Sequence, residues 1–107
     1  MSAKVSSALL TQLPLGKADV VTVCQELSVS RSTLQRRLRD EDTTFQQILD
    51  TTRKDLALRY LTKSSLANEE ISFLLAYSDP NSFFRSFRRW TGLSPSEVRE
   101  PADGVGK

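Results

Sequence analysis

The stretch EEISFLLAYSDPNSFFRSFRRWTG, Glu69 to Gly92, decides the fold. It reads as a short apolar helix, a tight turn at Ala76 to Asp79, and a second helix opened by Asp79 and Pro80. An aspartate at the N-cap followed by proline at the first helical position is a strong start signal, because proline lacks the amide that the first turn leaves unbonded. The second helix carries Phe83, Phe87 and Trp90 on one side and arginine on the other. VVTVCQELSVSRSTLQRRLRDE, Val20 to Glu41, says almost the same thing again. Two helix-turn-helix units in one small basic chain point to DNA read at two adjacent places.

Working outward, the remaining segments are helical too. No stretch alternates apolar and polar residues long enough for a strand. A first helix is expected over Val5–Leu13, ended by Pro14 and Gly16, and a second over Asp19–Leu27. Ser30 fits the N-cap of the third, Arg31–Arg39. Thr43 and Gln46 have capping-box spacing and open a long helix to Thr62, with Phe45, Ile48, Leu49, Leu56, Tyr60 and Leu61 as its apolar face. Asn68 caps a short helix carrying Ile71, Leu74 and Leu75. The next helix is Pro80–Trp90. Ser94 and Glu97 form a capping box for a last short helix. The fold class is therefore all-α, with seven helices. Two helix-turn-helix lobes (5–42 and 64–100), homeodomain-like and in tandem, are joined by a linker helix (43–63). Residues 102–107 read as a disordered tail.

Composition bounds the function. The chain has 107 residues, 26% charged, with a net charge of only +2. The placement of charge says more than its sum. Arg31, Arg36, Arg37 and Arg39 lie in a stretch without an acid, as do Arg85, Arg88 and Arg89. There is no histidine, and the one cysteine, Cys24, has no partner for a disulfide or a zinc cluster. It sits where a helix-turn-helix wants a small buried residue, and a lone thiol suits a reducing compartment. No glycine-rich phosphate loop or clustered carboxylate pair is present, which argues against an enzyme, a cofactor or a metal. The run Asp40, Glu41, Asp42 lacks the spaced ligands and glycine of a calcium loop. No apolar run is long enough for a membrane span.

Helical geometry picks out the candidate readers. Leu34 and Leu38 face the core, so Ser32, Arg36 and Arg39 point the opposite way and Gln35 lies on the flank. In the later helix Asn81, Arg85 and Arg88 lie opposite the aromatic stripe, with Ser82 on the flank. Both helices thus expose a short polar residue near the N-terminus and an arginine one turn later. Arginine pairs bidentately with guanine, and glutamine or asparagine with adenine. The bland reading of Arg36 and Arg85 is a solvated surface, and the duplicated context counts against it. Arg31, Arg37, Arg39, Arg88 and Arg89 read as phosphate contacts or as plain surface. An alternative function is a helical interaction module whose arginines meet an acidic protein partner.

AYSDPNSFFRSFRRWTGLSPSEVRE and VSRSTLQRRL carry a resemblance. From Leu9 to Arg99 the chain resembles the C-terminal DNA-binding domain of the AraC/XylS family of bacterial transcription regulators. TTFQQILDTTRKDLALRYL is similar to a branch with an arabinose-binding-like N-terminal domain, which includes regulators of virulence, quorum sensing and amino-acid catabolism. The resemblance implies base reading by Ser32, Gln35 and Arg36, then by Asn81, Ser82 and Arg85, in two successive major grooves. It also implies a double-stranded DNA operator and RNA polymerase as partners, activation of transcription, and no small-molecule ligand in this domain. An effector domain is expected ahead of this segment, and a cytoplasmic, nucleoid-associated location. There are departures. Ala76 stands where the family turn usually holds glycine, and Ser28 is the equivalent position in the first motif. Ser72 replaces a usual alanine, and Val98 a usual aromatic.

Overall fold

The computed structural model describes residues 1–99, and every regular element among them is helical. The expected tail at 102–107 lies outside the described residues. The chain divides into two compact units, Met1–Arg53 and a second beginning at Lys54.

The first unit opens with α1 (Ser2–Gln12), continued by a 3-10 turn at Leu13–Leu15 that Gly16 closes with a φ of 81°. α1 begins three residues before the expected Val5 because nothing at Ser2 to Lys4 breaks a helix and Glu41 caps it from a distance. Its carboxylate accepts from the Ser2 amide (3.2 Å) and hydroxyl (2.7 Å). α2 (Val20–Leu27) is capped by Asp19, which accepts from the Thr22 amide at 2.9 Å, and so starts one residue later than expected. α3 (Arg31–Asp40) is capped by Ser30 as expected, with Thr33 donating at 3.1 Å. α1 packs on α2 and α2 on α3. Val5, Leu9, Leu13, Val23, Leu34 and Leu38 are buried in this unit, and Cys24 with them. Gln12 is buried too, donating to Glu26 at 2.9 Å.

α4 (Phe45–Lys63) runs across the unit boundary. Its capping box is Thr44 with Gln47, one residue beyond the expected Thr43 and Gln46. The Thr44 hydroxyl accepts from the Gln47 amide (3.1 Å), and the Gln47 side chain accepts from the Thr44 amide (3.1 Å). The reason lies upstream: the Thr43 amide still closes the end of α3, donating to Leu38 at 3.0 Å. Along α4, Ile48, Leu49, Thr52, Leu56, Ala57 and Leu61 are buried, while Phe45 and Tyr60 are only half-buried.

In the second unit α5 (Asn68–Leu74) packs on α6 (Pro80–Thr91), and residues 95–99 form a final short helix, α7. The expected cap at Asn68 is corrected. Ala67 holds the N-cap without a side-chain acceptor of its own, and Glu70 reaches back to accept from the Ala67 amide at 3.0 Å. Asn68 donates instead to Ser96 at 3.3 Å. Asp79 with Pro80, and Ser94 with Glu97, cap as read from the sequence. The core is Ile71, Leu75, Phe83 and Phe87, with Phe83 stacking obliquely on Tyr77 and edgewise on Phe87, both at 5.8 Å between ring centres. Ser72 is fully buried, and its hydroxyl donates back to the Glu69 carbonyl at 2.7 Å, so the departure from alanine leaves no polar atom stranded.

Candidate nucleic-acid interface

The two helix-turn-helix units end their first helices in the same way. After α2, the Ser28 amide donates to Gln25 and the Val29 amide to Cys24. After α5, the Ala76 amide donates to Phe73 and the Tyr77 amide to Ser72. Each is a Schellman motif, whose C′ residue takes the left-handed conformation. Ser28 and Ala76 do so, at φ 55° and 65°. The departure of Ala76 from the usual glycine is thus accommodated without a change of turn, at the steric cost of a Cβ in that region. From there the turns differ by one residue: α3 is capped by Ser30, two residues on, and α6 by Asp79, three residues on.

On α3, Leu34 and Leu38 are 0% and 1% exposed, which fixes the helix's rotation. Arg31, Ser32, Gln35, Arg36, Arg37 and Arg39 are all exposed. Beside this face lies a groove of about 410 Å³, lined by Arg31, Gln35 and Arg39 and by the start of α4 at Thr43–Gln46. No acidic residue lines it. The groove therefore offers hydrogen-bond donors and positive charge, while Arg37 stands beside Asp40 and Glu41.

On α6, Phe83 and Phe87 are fully buried, and Asn81, Arg85, Arg88 and Arg89 are exposed. Trp90 and Phe84 are half-buried parts of the same aromatic wall. Two of the predicted residues have engagements that the sequence did not announce. Ser82 is half-buried, and its hydroxyl donates to Asp79 (3.0 Å) while accepting from Arg85 (3.3 Å). Arg88 lies 3.6 Å from Glu97 of α7. That pair is exposed on both sides, so it holds Arg88 weakly and yields readily to a phosphate. The Asp79 carboxyl is held below its ordinary range by the Ser82 amide, then the Ser82 hydroxyl, with the Arg85 charge a smaller cause. It is therefore a fixed anion at the helix start, where the helix dipole favours one.

Among the described residues no group of histidine, cysteine, aspartate and glutamate is arranged to hold a metal, and no helix is long and apolar enough to cross a membrane.

Comparison with known proteins gives this geometry its relatives. A helix-turn-helix domain model matches residues 23–101. An ornithine utilization regulator of Pseudomonas aeruginosa is 45% identical over 92 residues, covering 86% of this chain and 27% of the relative. The transcriptional regulator VirS of Mycobacterium tuberculosis is 34% identical, covering 81% of this chain and 26% of its own length. The chain thus spans about a quarter of the length of the curated relatives it matches. Among solved structures, the DNA-binding domain of AdpA in complex with a target DNA superposes with a TM-score of 0.79 at 27% identity, covering 97% of this chain and 94% of that one. The transcriptional regulator CdpR from Pseudomonas aeruginosa gives a TM-score of 0.70 at 39% identity, covering 77% of this chain and 26% of that one. With the tandem helix-turn-helix units and their arginine-bearing second helices, these matches place the chain in the AraC/XylS family of transcription regulators, as a DNA-binding domain.

Proposed function

We propose that this domain binds one bipartite operator as a monomer, with α3 and α6 reading successive major grooves. The observation that carries the reading is the repeated face. Each recognition helix buries one side on its own unit and exposes a short polar residue followed one turn later by an arginine. On this reading Ser32, Gln35 and Arg36 meet base edges from α3, and Asn81, Ser82 and Arg85 from α6. Arg31, Arg37, Arg39, Arg88 and Arg89 hold phosphates on either side. Lobes at 5–42 and 64–100, with 43–63 as the bridge, are the functional division. AdpA's domain was solved with a target DNA, and its similarity along nearly the whole chain supports DNA as the partner.

The domain acts without catalysis or cofactor, in the cytoplasm at the nucleoid. In its regulator it serves chiefly activation, in contact with RNA polymerase. A urease operon transcriptional activator of Escherichia coli, 34% identical over 91 residues, supports the activating role.

Selection of bound sequences from random duplex DNA tests the reading. The expected outcome is a non-palindromic site of about 15 to 20 bp, with two conserved blocks roughly one helical turn apart. Affinity should fall steeply with salt while a specificity ratio persists. A strict palindrome bound only by a dimer overturns the monomeric bipartite site. Binding without sequence preference overturns base reading altogether and favours the acidic-partner alternative.

A further inference from the structure

Arg85 does not extend from α6 unaccompanied. Its Nη2 donates to the Ser82 Oγ at 3.3 Å, and the Ser82 Oγ donates onward to Asp79 Oδ2 at 3.0 Å. Asp79 Oδ1 in turn accepts from the Ser82 amide at 2.9 Å. The direction of this chain is fixed by chemistry. A guanidinium only donates, an ionised carboxylate only accepts, and the hydroxyl between them has one proton to give. The three residues stand at the N-cap and then at two successive three-residue steps, so they share one face of the helix start.

The corresponding positions of the first unit are Ser30, Thr33 and Arg36. There the Ser30 hydroxyl donates to the Thr33 hydroxyl at 2.9 Å and accepts from the Thr33 amide at 3.1 Å. No carboxylate stands at these three positions, and among the described residues the Arg36 side chain is in neither a hydrogen bond nor an ion pair. The two recognition helices therefore present the same arginine in two states, one tethered and one untethered.

We infer that Asp79 and Ser82 are positioning residues for Arg85, and that the base pair under Arg85 is specified more tightly than the one under Arg36. An untethered arginine loses rotamer freedom when it docks on a base, whereas a tethered one has lost part of it already. The tether is charge-assisted at both ends, which strengthens it relative to neutral bonds. It also gives the Ser82 hydroxyl a role in addition to touching a base. This inference rests on the base-reading role proposed above for Arg85.

The test is competition binding with this chain on the selected operator and its single-base-pair variants, comparing the parent with R85A, S82A and S82T. R85A identifies the base pair that Arg85 reads. S82A leaves the Asp79 cap on the Ser82 amide in place, which circular dichroism and thermal unfolding verify. The expected result is that S82A lowers preference at the Arg85 base pair by about 2- to 10-fold, the size of one unrestrained long side chain. Its salt slope should stay parental, and S82T, which retains the hydroxyl, should restore the preference. Parental preference at that base pair in S82A overturns the inference, and so does a loss confined to a different base pair, which makes Ser82 a reader with no effect on Arg85. If R85A itself alters preference nowhere, the base-reading role of Arg85 is what fails, and the inference falls with it.

Discussion

Ser28 and Ala76 hold the same left-handed backbone, φ 55° and 65°, at the end of the first helix of each helix-turn-helix unit. Each closes its helix with the same pair of amide bonds, so the conformation is imposed by the turn and not by the residue. An L-residue pays for this region through its Cβ, by roughly 1–2 kcal/mol, of which glycine's extra unfolded-state freedom takes back about half to one. Ala76→Gly should therefore stabilise the domain by about 0.5–1 kcal/mol. Ser28→Gly should act in the same direction. Chemical unfolding at neutral pH measures both. A destabilised Ala76→Gly would show that the alanine methyl contributes more in packing than it costs in strain.

Acid sensitivity should be shared by four lowered carboxyls, Asp19, Glu41, Asp79 and Glu97, of which Glu41, brought to about 2 by the Met1 ammonium and then Ser2, shifts most. The Asp19 carboxyl is lowered from its ordinary value of 3.8 by the Thr22 amide and then the Thr22 hydroxyl. Asp79 is lowered from the same value of 3.8 by the amide and hydroxyl of Ser82. A carboxyl whose folded value lies below its unfolded value stabilises fully above the unfolded value. That contribution is lost as pH falls through the folded one. Unfolding followed across this acid range should lose stability below about pH 4. Asp19→Asn and Asp79→Asn should remove their share of that limb, leaving the part due to Glu41 and Glu97, while neutral-pH stability stays nearly intact, since asparagine also caps well. An unchanged acid limb in the double variant would assign the sensitivity to Glu41 and Glu97 instead.

Arginines that read bases and arginines that hold phosphates should separate in one experiment. Arg36→Ala or Arg85→Ala should cost about 1–3 kcal/mol and relax preference at one or two base pairs. Arg88→Ala or Arg89→Ala should weaken all sequences alike and reduce the salt slope by about one. Arg88→Ala also releases Glu97, but an exposed pair at 3.6 Å contributes little to folding. The readout is affinity against a panel of operator variants at several salt concentrations. Equal losses on every sequence for all four variants would remove Arg36 and Arg85 from the base edges.

Much of this architecture was legible because helix starts are written in short polar residues at fixed spacing. Ser30, Asp79 with Pro80, and Ser94 with Glu97 all cap where the spacing put them. The start of α4 was not decidable locally. Thr43, Thr44, Gln46 and Gln47 spell the capping box in two registers. The choice falls to the Thr43 amide, which the end of α3 already uses. Ala67 as a cap left no trace in its own residue, because the side-chain bond at this helix start is the one Glu70 accepts from the Ala67 amide. The exposed faces of α3 and α6 followed from the buried leucines and phenylalanines opposite them. What those exposed side chains bond to did not. The Arg88–Glu97 pair joins two helices, and the tie from Arg85 through Ser82 to Asp79 depends on rotamers that periodicity does not specify.

The 19 residues of α4, from Phe45 to Lys63, form one unbroken helix spanning the boundary at Arg53 and Lys54. If α4 is the bridge proposed above, its continuity is what a bipartite site requires. At ~1.5 Å per residue it is a strut of roughly 27 Å. Asp55 is exposed, so replacing its side chain disturbs no core contact, and the effect of Asp55→Pro is confined to the backbone. Proline there removes an internal hydrogen bond and clashes with the preceding turn, at about 3 kcal/mol or more. Asp55→Ala is the matched control, since it removes the same carboxylate and leaves the helix intact. The expected outcome is a large loss of affinity for the full operator in Asp55→Pro, with near-parental binding in Asp55→Ala. Weak binding to a single half-site should persist wherever circular dichroism shows the units still folded. A folded proline variant that binds the full site like the parent would mean that the two blocks are read independently. The bridge, and with it the fixed spacing of the operator, would then have to be abandoned.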